Sequence, residues 1–329
     1  MKKVILSFDY ELFFGERSGT VDNSIIRPTE LLLNKLDKIN GKATFFVDYL
    51  MIKYLEAQPK TTKEARKITT QLQEIVQQGH RIELHIHPHW IDACYNGDGT
   101  WDFKDFTHYS LNSLPEDTVS DLFTEGCEML NKIAGTVDPS YKVVAFRAGG
   151  WAVQPFSHLH KAFKKANIKI DSSVSCGFRY KGNDSFYDFT HVPDKPVYTF
   201  KDDVLVEDKD GEFVEFPISS YEYTFPMRII NSIHRYINPG LFRQTTDGTH
   251  SRISYGTLPT KIRKNSSILS RFTLSRLSPY VLLYALKKEK KELLVFLDHP
   301  KDFTYSALSF LTLLEGNVEF HLYTDFIDH

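Results

Sequence analysis

The segment RIELHIHPHW (81–90) determines how the chain is interpreted, because a strand pattern runs directly into a group of histidines. Apolar side chains occupy every second position from Ile82 to Ile86, and this alternation predicts a β-strand. Two-residue steps separate the histidines at its end, which are His85, His87 and His89. Three histidines at this spacing are not needed to build a strand, so we treat them as candidate metal ligands.

Pro88 bears on which histidines can meet. If the strand continued through it, all three histidines would face one way. Proline cannot donate to a sheet ladder and tends to end a strand, which argues against this arrangement. If the chain turns instead, His85 and His89 come together and His87 packs elsewhere. Two histidines are not enough for a hydrolytic site, which usually takes a carboxylate as its third ligand.

Strand-like and helix-like segments alternate on both sides of this segment. The strand-like segments are 3–8, 42–47, 81–87, 142–146, 168–174, 292–299 and 318–324, and the helix-like segments are 28–39, 62–79, 115–135, 154–167 and 305–316. Such alternation predicts βα units and a parallel sheet, either open or closed into a barrel.

The bulk properties are those of an ordinary globular protein. The chain has 329 residues and a formal net charge of -2, which argues against a protein that coats nucleic acid. Its three cysteines form no CxxC pair, so neither a disulfide framework nor a zinc ribbon is expected. Acidic residues interrupt the apolar N-terminus too early for a signal peptide, and no stretch approaches the length of a membrane span. We therefore expect a cytoplasmic protein.

Polar residues cluster just after the predicted strands. Asp9 and Glu11 follow the first strand, Arg147 follows 142–146, and His299 ends 292–299. In barrels, the chemistry lies at the carboxyl ends of the strands. Asp9 and Glu11 are two residues apart and can project to the same side, so either could complete a metal site, although acids after strands also cap turns.

Residues 200–291 break the alternation, and we interpret them as an inserted basic β/α segment. From Pro226 to Lys291 there are 13 lysines and arginines but only two acids, Asp247 and Glu289. A solvated basic surface would explain this composition. So would a cap that contacts an anionic substrate or an anionic membrane face.

Taken together, five short motifs in order resemble the polysaccharide deacetylases, the NodB homology group or carbohydrate esterase family 4. They are SFDYE (7–11), GHRIELHIHPH (79–89), FRAGG (146–150), DSSV (171–174) and LDH (297–299). The resemblance covers roughly residues 1–180 and 290–329. It implies a single domain over 1–329, built as a distorted (β/α) barrel of about seven strands. In this barrel, residues from about 200 to 291 form an insertion.

The resemblance also implies a metal site. It assigns His85 and His89 as ligands and makes His87 a bystander. The family's second aspartate is Tyr10 here, so we expect Glu11 to bind the metal, as in the D-x-E subgroup associated with surface-polysaccharide biosynthesis. The expected ion is divalent, with zinc first and cobalt, nickel, manganese or iron as alternatives.

The remaining family roles transfer residue by residue. Asp9 would be the base that deprotonates water, Arg147 would pair with Asp9, and His299 would protonate the leaving amine. Asp171 would hold the imidazole of His299. The backbone N–H of Tyr10 would stabilise the oxyanion. The proline and aromatic residue of the family's third motif are Gly149 and Gly150 here. We expect Gly150 and Trp151 to contact substrate, with Trp151 in place of the lost aromatic residue.

The implied reaction is removal of an acetyl group from an N-acetylated sugar. In the cytoplasm the substrate would be a saccharide precursor, including phosphate-linked ones, and the basic segment 226–291 would contact its phosphates or the inner membrane face. No nucleic-acid partner is expected. Two alternatives stay open: a catalytically degenerate carbohydrate-binding protein, and a hydrolase of the same fold that acts on a non-sugar amide.

Overall fold

The computed structural model describes residues 1–15, 17–182, 185–250, 263–264 and 267–327. Part of the predicted basic insertion, residues 251–262 and 265–266, therefore lies outside the described residues.

The strands of the described residues are numbered in chain order. They are β1 (Lys2–Tyr10), β2 (Ala43–Asp48), β3 (Arg81–Ile86), β4 (Cys94–Tyr95), β5 (Trp101–Asp102), β6 (Ala145–Ala148), β7 (Ile170–Asp171), β8 (Arg179–Lys181), β9 (Phe186–Asp188), β10 (Tyr198–Phe200), β11 (Phe213–Glu215), β12 (Ser220–Tyr223), β13 (Arg263–Lys264), β14 (Ser267–Arg271), β15 (Leu293–Asp298) and β16 (Val318–Phe320). The helices are α1 (Arg27–Lys38), α2 (Tyr49–Ala57), α3 (Thr62–Gln77), α4 (Glu116–Gly135), α5 (Ser157–Lys165), α6 (Phe225–Ile237), α7 (Pro279–Lys288) and α8 (Tyr305–Leu314).

One large sheet organises the molecule. Its strand order is β10-β11-β7-β6-β3-β2-β1-β15, and β16 also pairs with β1. All of these pairings are parallel except that of β10 with β11. Residues 4–10 of β1 are buried without interruption, as expected for a parallel strand that is covered on both faces.

The sheet curls until its two sides approach each other. Ile218 donates its backbone N–H to the carbonyl of Val174, and the next residue, Ser219, donates to the carbonyl of Val295 in β15. This segment therefore links the β7 side of the sheet to the β15 side. The predicted α/β fold with a distorted barrel is confirmed.

Helices with one apolar face cover the sheet. In α3, Ala65, Ile68, Leu72 and Ile75 are buried at the three- and four-residue spacing of one helix face. Gly79 follows this helix with a φ of 76°, a left-handed conformation that glycine adopts without strain. The turn leads directly into β3 and so positions the histidine segment.

The segment predicted as an insertion divides into two parts. Its first part contributes β11 to the barrel sheet, in parallel with β7. Its second part builds a separate antiparallel sheet, β12-β14-β13, beside α6 and α7. In the described part of the chain, no helix combines the length and the apolar character that crossing a bilayer requires. The single-domain organisation stays a prediction.

Candidate active site

The site lies at the carboxyl ends of neighbouring strands. Asp9 lies in β1 with Glu11 just beyond it, and His85 lies in β3. Arg147 lies in β6, and His299 directly follows β15. Because parallel strands share one direction, their carboxyl ends meet at one rim. Four separate parts of the sequence thus bring their polar side chains together there.

Asp9 and Arg147 form a buried ion pair. Nη1 of Arg147 donates to Oδ1 of Asp9 over 2.7 Å, and neither side chain is more than 5 % exposed. Arg147 is held further by Ser7, Ser172 and Tyr323, which all accept from it. Burial alone would raise the pKa of Asp9, but the charges of Arg147 and His85 outweigh burial and lower this pKa. Asp9 is therefore held ionised in a fixed direction.

Glu11, His85 and His87 form the one group in the described residues that could hold a metal ion. Their potential ligand atoms all lie within 4.8 Å of one another. Oε2 of Glu11 is 3.2 Å from Nε2 of His85 and 2.5 Å from Nε2 of His87. The carbonyl of Arg147 accepts a hydrogen bond from Nδ1 of His85 over 2.7 Å. Because Nδ1 is committed to that carbonyl, Nε2 is the nitrogen of His85 that would bind a metal, as in many metal sites.

The structure brings His87, and not the predicted His89, to Glu11 and His85. β3 ends at Ile86, but His87 keeps an extended backbone, with φ −110° and ψ 93°. The two-residue alternation of the strand therefore continues to His87 and places its ring on the same side as that of His85. His89 lies inside the following turn, with its ring 4.1 Å from Phe14 between centroids. It faces an aromatic pocket rather than Glu11.

Lys301 was not singled out in the sequence, yet it joins the site. Its Nζ donates to Oε1 of Glu11 over 2.7 Å and to the carbonyl of Leu12 over 3.0 Å. Both charged side chains are at most 5 % exposed. Burial would raise the pKa of Glu11, but the charges of His87 and Lys301 lower it instead. In the sequence, the only signal for Lys301 was its position two residues after His299.

His299 faces the acids of the first strand, and Asp302 lies behind it. Nε2 of His299 is 3.5 Å from Oδ2 of Asp9, and Nδ1 is 3.7 Å from Oδ2 of Asp302. Burial would lower the pKa of His299, but its hydrogen bond to Asp9 and the charge of Asp9 raise it. Asp302, from the turn after β15, thus occupies the place expected for Asp171.

Asp171 is engaged elsewhere. Its carboxylate accepts hydrogen bonds from the backbone N–H and the hydroxyl of Ser173, and Glu215 lies beside it in register on β11. Burial raises the pKa of Asp171, and burial together with the charge of Asp171 raises the pKa of Glu215. Two such carboxyl groups favour sharing a proton. This pair lies in the sheet rather than at His299.

The residues predicted to contact substrate have different surroundings. The side chain of Tyr10 is buried and donates to Oε1 of Gln71. A Cβ on Gly150 would come within 2.9 Å of the ring of Tyr109. At Gly149, a Cβ would approach the carbonyl of Ile86 to 2.5 Å and Nδ1 of His87 to 2.8 Å. Gly149 is therefore what allows β6 to pass so close to His87.

A cleft of about 340 Å³ opens beside His299. His299, Asp298 and Asp302 are among the residues that line it. Trp151, predicted to contact substrate, also lines it, together with Phe178 and with Arg271 from β14. The second part of the predicted insertion therefore forms a wall of this cleft.

The residues present fit a divalent metal. Two imidazoles and a carboxylate are ligands that zinc and similar ions take, and three protein ligands are typical of catalytic sites. Nδ1 of His87 is buried and has no hydrogen-bond partner among the described residues, although Nε2 faces Glu11. Lys301 binds the other carboxylate oxygen and leaves Oε2 to the histidines. Glu11, His85 and His87 would hold the ion, with Asp9 and His299 at its side.

Comparison with known proteins gives similarity to solved structures alone. No family model matches the chain, and no curated protein does. A provisionally assigned polysaccharide deacetylase from Mycobacterium smegmatis is similar at 16% identity over 98% of this chain and 88% of that chain, with a TM-score of 0.47.

Two further structures illustrate the range of the likeness. A 4-alpha-glucanotransferase from Thermococcus litoralis is similar at 13% identity and a TM-score of 0.46, over 98% of this chain and 40% of that chain. A carbohydrate esterase family 4 pseudoenzyme from Bacillus anthracis is similar at 13% identity and a TM-score of 0.41, over 99% of this chain and 66% of that chain. At these identities and TM-scores, any activity must be argued from the chain's own residues.

Proposed function

We propose that this protein is a metal-dependent hydrolase that removes the acetyl group from an N-acetylated sugar. The observation that carries the proposal is the convergence at one rim of two groups: the ionised pair of Asp9 with Arg147, and the cluster of Glu11 with His85 and His87. A hydrolase of this type needs a base beside a site for a Lewis acid. A structural role for so many buried charges would be costly.

When bound, a divalent ion would polarise the acetyl carbonyl and lower the pKa of water towards about 7. Asp9 accepts the proton of the attacking water through Oδ2, because Arg147 occupies Oδ1. His299, on the cleft side of Asp9, donates a proton to the leaving amine. Asp302 orients the ring of His299 from behind. Asp171 has no direct part in this scheme.

The test is metal content measured together with amine release from acetylated sugars. We expect about one equivalent of a divalent metal per chain, and activity that a chelator abolishes and the metal restores. A protein that holds metal but releases no amine from any acetylated sugar, while hydrolysing a ureide or formyl amide, would instead be the non-sugar amide hydrolase.

One observation favours a second candidate, a carbohydrate-binding protein without catalysis. The ammonium of Lys301 is 2.7 Å from Glu11 and already supplies a positive charge to that carboxylate. In this alternative, Lys301 takes the place of the ion, and the cleft binds a sugar that is never hydrolysed. A calorimetric titration in which zinc, cobalt, nickel, manganese and iron all fail to bind would favour it over the enzyme.

A further inference from the structure

The cleft beside His299 contains a guanidinium group without an acidic partner. Arg271 lies with its Cζ 4.1 Å from the ring centroid of Trp151 and 3.9 Å from that of Phe178. The two aromatic rings hold the guanidinium in place. Its Nε donates to Oγ of Ser175 over 2.8 Å, and its Nη2 is 3.5 Å from the hydroxyl of Tyr187.

No carboxylate of the described residues pairs with Arg271. Among the acids that line the same cleft, Asp298 accepts from the backbone N–H groups of Leu274 and Ser275. Asp302 is bound to His250 and to Arg276. Both acids are therefore already engaged, and Nη1 of Arg271 has no protein acceptor in the described ranges.

A partly buried cation that lacks an anion is costly, and charged groups in such surroundings are normally paired. Burial lowers the pKa of Arg271, yet an arginine side chain stays charged at any physiological pH. The guanidinium fork is suited to planar or tetrahedral oxyanions, which it binds through two parallel hydrogen bonds. The site is thus prepared for an anion that enters the cleft from solvent.

We propose that Arg271 anchors an anionic group of the substrate, a phosphate or a carboxylate, in the cleft that leads to His299. The proposal deepens the proposed function and relies on it for the sugar part of the ligand. Trp151 and Phe178 position the guanidinium, and the sugar lies between it and His299. A neutral acetylated sugar would lack this contact.

Binding can be measured without turnover, so this test is independent of catalysis. The probes are N-acetylglucosamine, N-acetylglucosamine 1-phosphate and an N-acetylated hexosaminuronic acid, titrated against the full chain. The wild type should bind at least one of the anionic probes about ten-fold more tightly than the neutral one. A preference for the phosphate or for the carboxylate identifies the source of the charge.

The variants then assign the contact. Arg271→Gln should lose this preference, Arg271→Lys should retain part of it, and Arg228→Gln, at a half-buried arginine that does not line the cleft, should leave it unchanged. Equal binding of charged and neutral probes by the wild type, or an Arg271→Lys protein that folds and weakens all probes equally, would overturn the proposal. Absence of hydrolysis alongside the expected binding pattern would count against the enzyme and not against Arg271.

A separate observation concerns the outer face of α6. Six large apolar side chains of this helix are exposed: Phe225, Ile229, Ile230, Ile233, Tyr236 and Ile237. Their spacing places them on one side of the helix, whereas Met227 and Asn231 are buried on the other. Tyr280 and Tyr284 of α7 are exposed as well, and the ring of Tyr280 is 5.3 Å from that of His234 in α6.

The charged side chains of α6 and α7 are all basic. Arg228 lies 5.3 Å from the ring centroid of Phe225, and Lys288 lies 5.7 Å from that of Tyr284. Neither α6 nor α7 contains an acidic residue. Asp247, the one acid between the two helices in the sequence, is bound to residues of the 20–24 segment.

We infer that the α6 face docks on an anionic membrane surface. An exposed apolar face with aromatic residues and flanking cations is suited to the boundary between lipid headgroups and acyl chains. The helix that carries this face lies near the cleft, because Arg235 of α6 donates to the backbone carbonyl of Arg276, which lines that cleft. Docking would therefore bring the cleft close to the lipid headgroups.

Vesicle co-sedimentation tests this surface. The full chain should bind phosphatidylcholine vesicles that contain phosphatidylglycerol, bind pure phosphatidylcholine less, and dissociate partly at high salt. Ile233→Asp should weaken binding about ten-fold or more, and Val206→Asp, at an exposed apolar residue outside α6 and α7, should not. Failure of the wild type to bind vesicles would overturn the inference. Dimers of the wild type that Ile233→Asp dissociates would overturn it in favour of a second copy of the chain on this face.

Discussion

Lys301 and Glu11 form a buried ion pair in which the lysine takes one carboxylate oxygen and leaves the other to two histidines. Nζ is 2.7 Å from Oε1, while Oε2 faces His85 and His87. Such an arrangement fixes the direction of the carboxylate, as outer-sphere partners of metal ligands commonly do. It also stabilises the charge of Glu11 in the protein without metal.

The first prediction concerns this pair. Lys301→Met should lower the free energy of unfolding of the metal-free protein by about 3 kcal/mol, because it leaves a buried carboxylate without its cation. Urea unfolding after chelation measures the effect. In the double variant with Glu11→Gln the loss should be smaller than the sum of the single losses, since the two residues interact. Additive losses would show that the pair is not energetically coupled.

The second prediction separates His87 from His89. Because His87 faces Glu11 and His89 faces aromatic rings, His87→Ala should lose the metal, as should His85→Ala. His89→Phe should retain it, since phenylalanine suits the pocket of Phe14, Phe103 and Tyr109. Elemental analysis of the purified variants gives the answer. Metal kept by His87→Ala and lost by His89→Phe would restore the ligand set expected from the sequence.

The third prediction concerns the base. Asp9→Asn should reduce kcat about 10²–10⁴-fold, because an amide cannot accept the proton of water. Metal content should be unchanged, since Asp9 pairs with Arg147 rather than with the histidine cluster. The exposed Asp121→Asn serves as the control in the same amine-release assay. Near-normal turnover by Asp9→Asn would remove Asp9 from the mechanism.

The fourth prediction tests the close approach at Gly149. Alanine there would place its Cβ 2.5 Å from the carbonyl of Ile86 and 2.8 Å from Nδ1 of His87, so the backbone next to His87 and its ring must move. We expect metal affinity to fall about 10–100-fold, as when an outer contact of a ligand is lost. Gly135→Ala is the control, because a Cβ there meets nothing within 4 Å. Unchanged metal affinity in Gly149→Ala would show that the backbone or the ring relaxes without consequence.

Much of the fold could be predicted because it depends on local periodicity. The alternation of strand-like and helix-like segments located the strands whose carboxyl ends meet, and with them Asp9, Arg147 and His299. Parallel strands that are covered on both faces leave clear apolar runs in a sequence. The location of the rim therefore followed from pattern alone.

The partners across the rim could not be predicted in this way. Whether His87 or His89 lies beside Glu11 depends on whether the first residue after the strand keeps an extended backbone. Pro88 indicated an earlier turn, because proline tends to end a strand. Lys301 reaches back from a turn to a strand 290 positions away. Asp171 pairs with Glu215 through the register of β7 with β11, which no local pattern determines.

The last prediction concerns the protonation of the carboxyl pair formed by Asp171 and Glu215. The pKa of Glu215 is raised well above 4.5 by burial and by Asp171, so the folded protein keeps a proton that the unfolded chain releases above about pH 4.5. The stabilisation is complete below that pH and is lost as the pH rises towards the folded pKa. Glu215→Gln carries no such proton. Its free energy of unfolding relative to the wild type should therefore increase between about pH 5 and about pH 8 in urea titrations. The control Glu128→Gln, at an exposed glutamate, should show no such trend. If the difference in free energy of unfolding between Glu215→Gln and the wild type stays constant with pH, Glu215 is ionised in the folded protein.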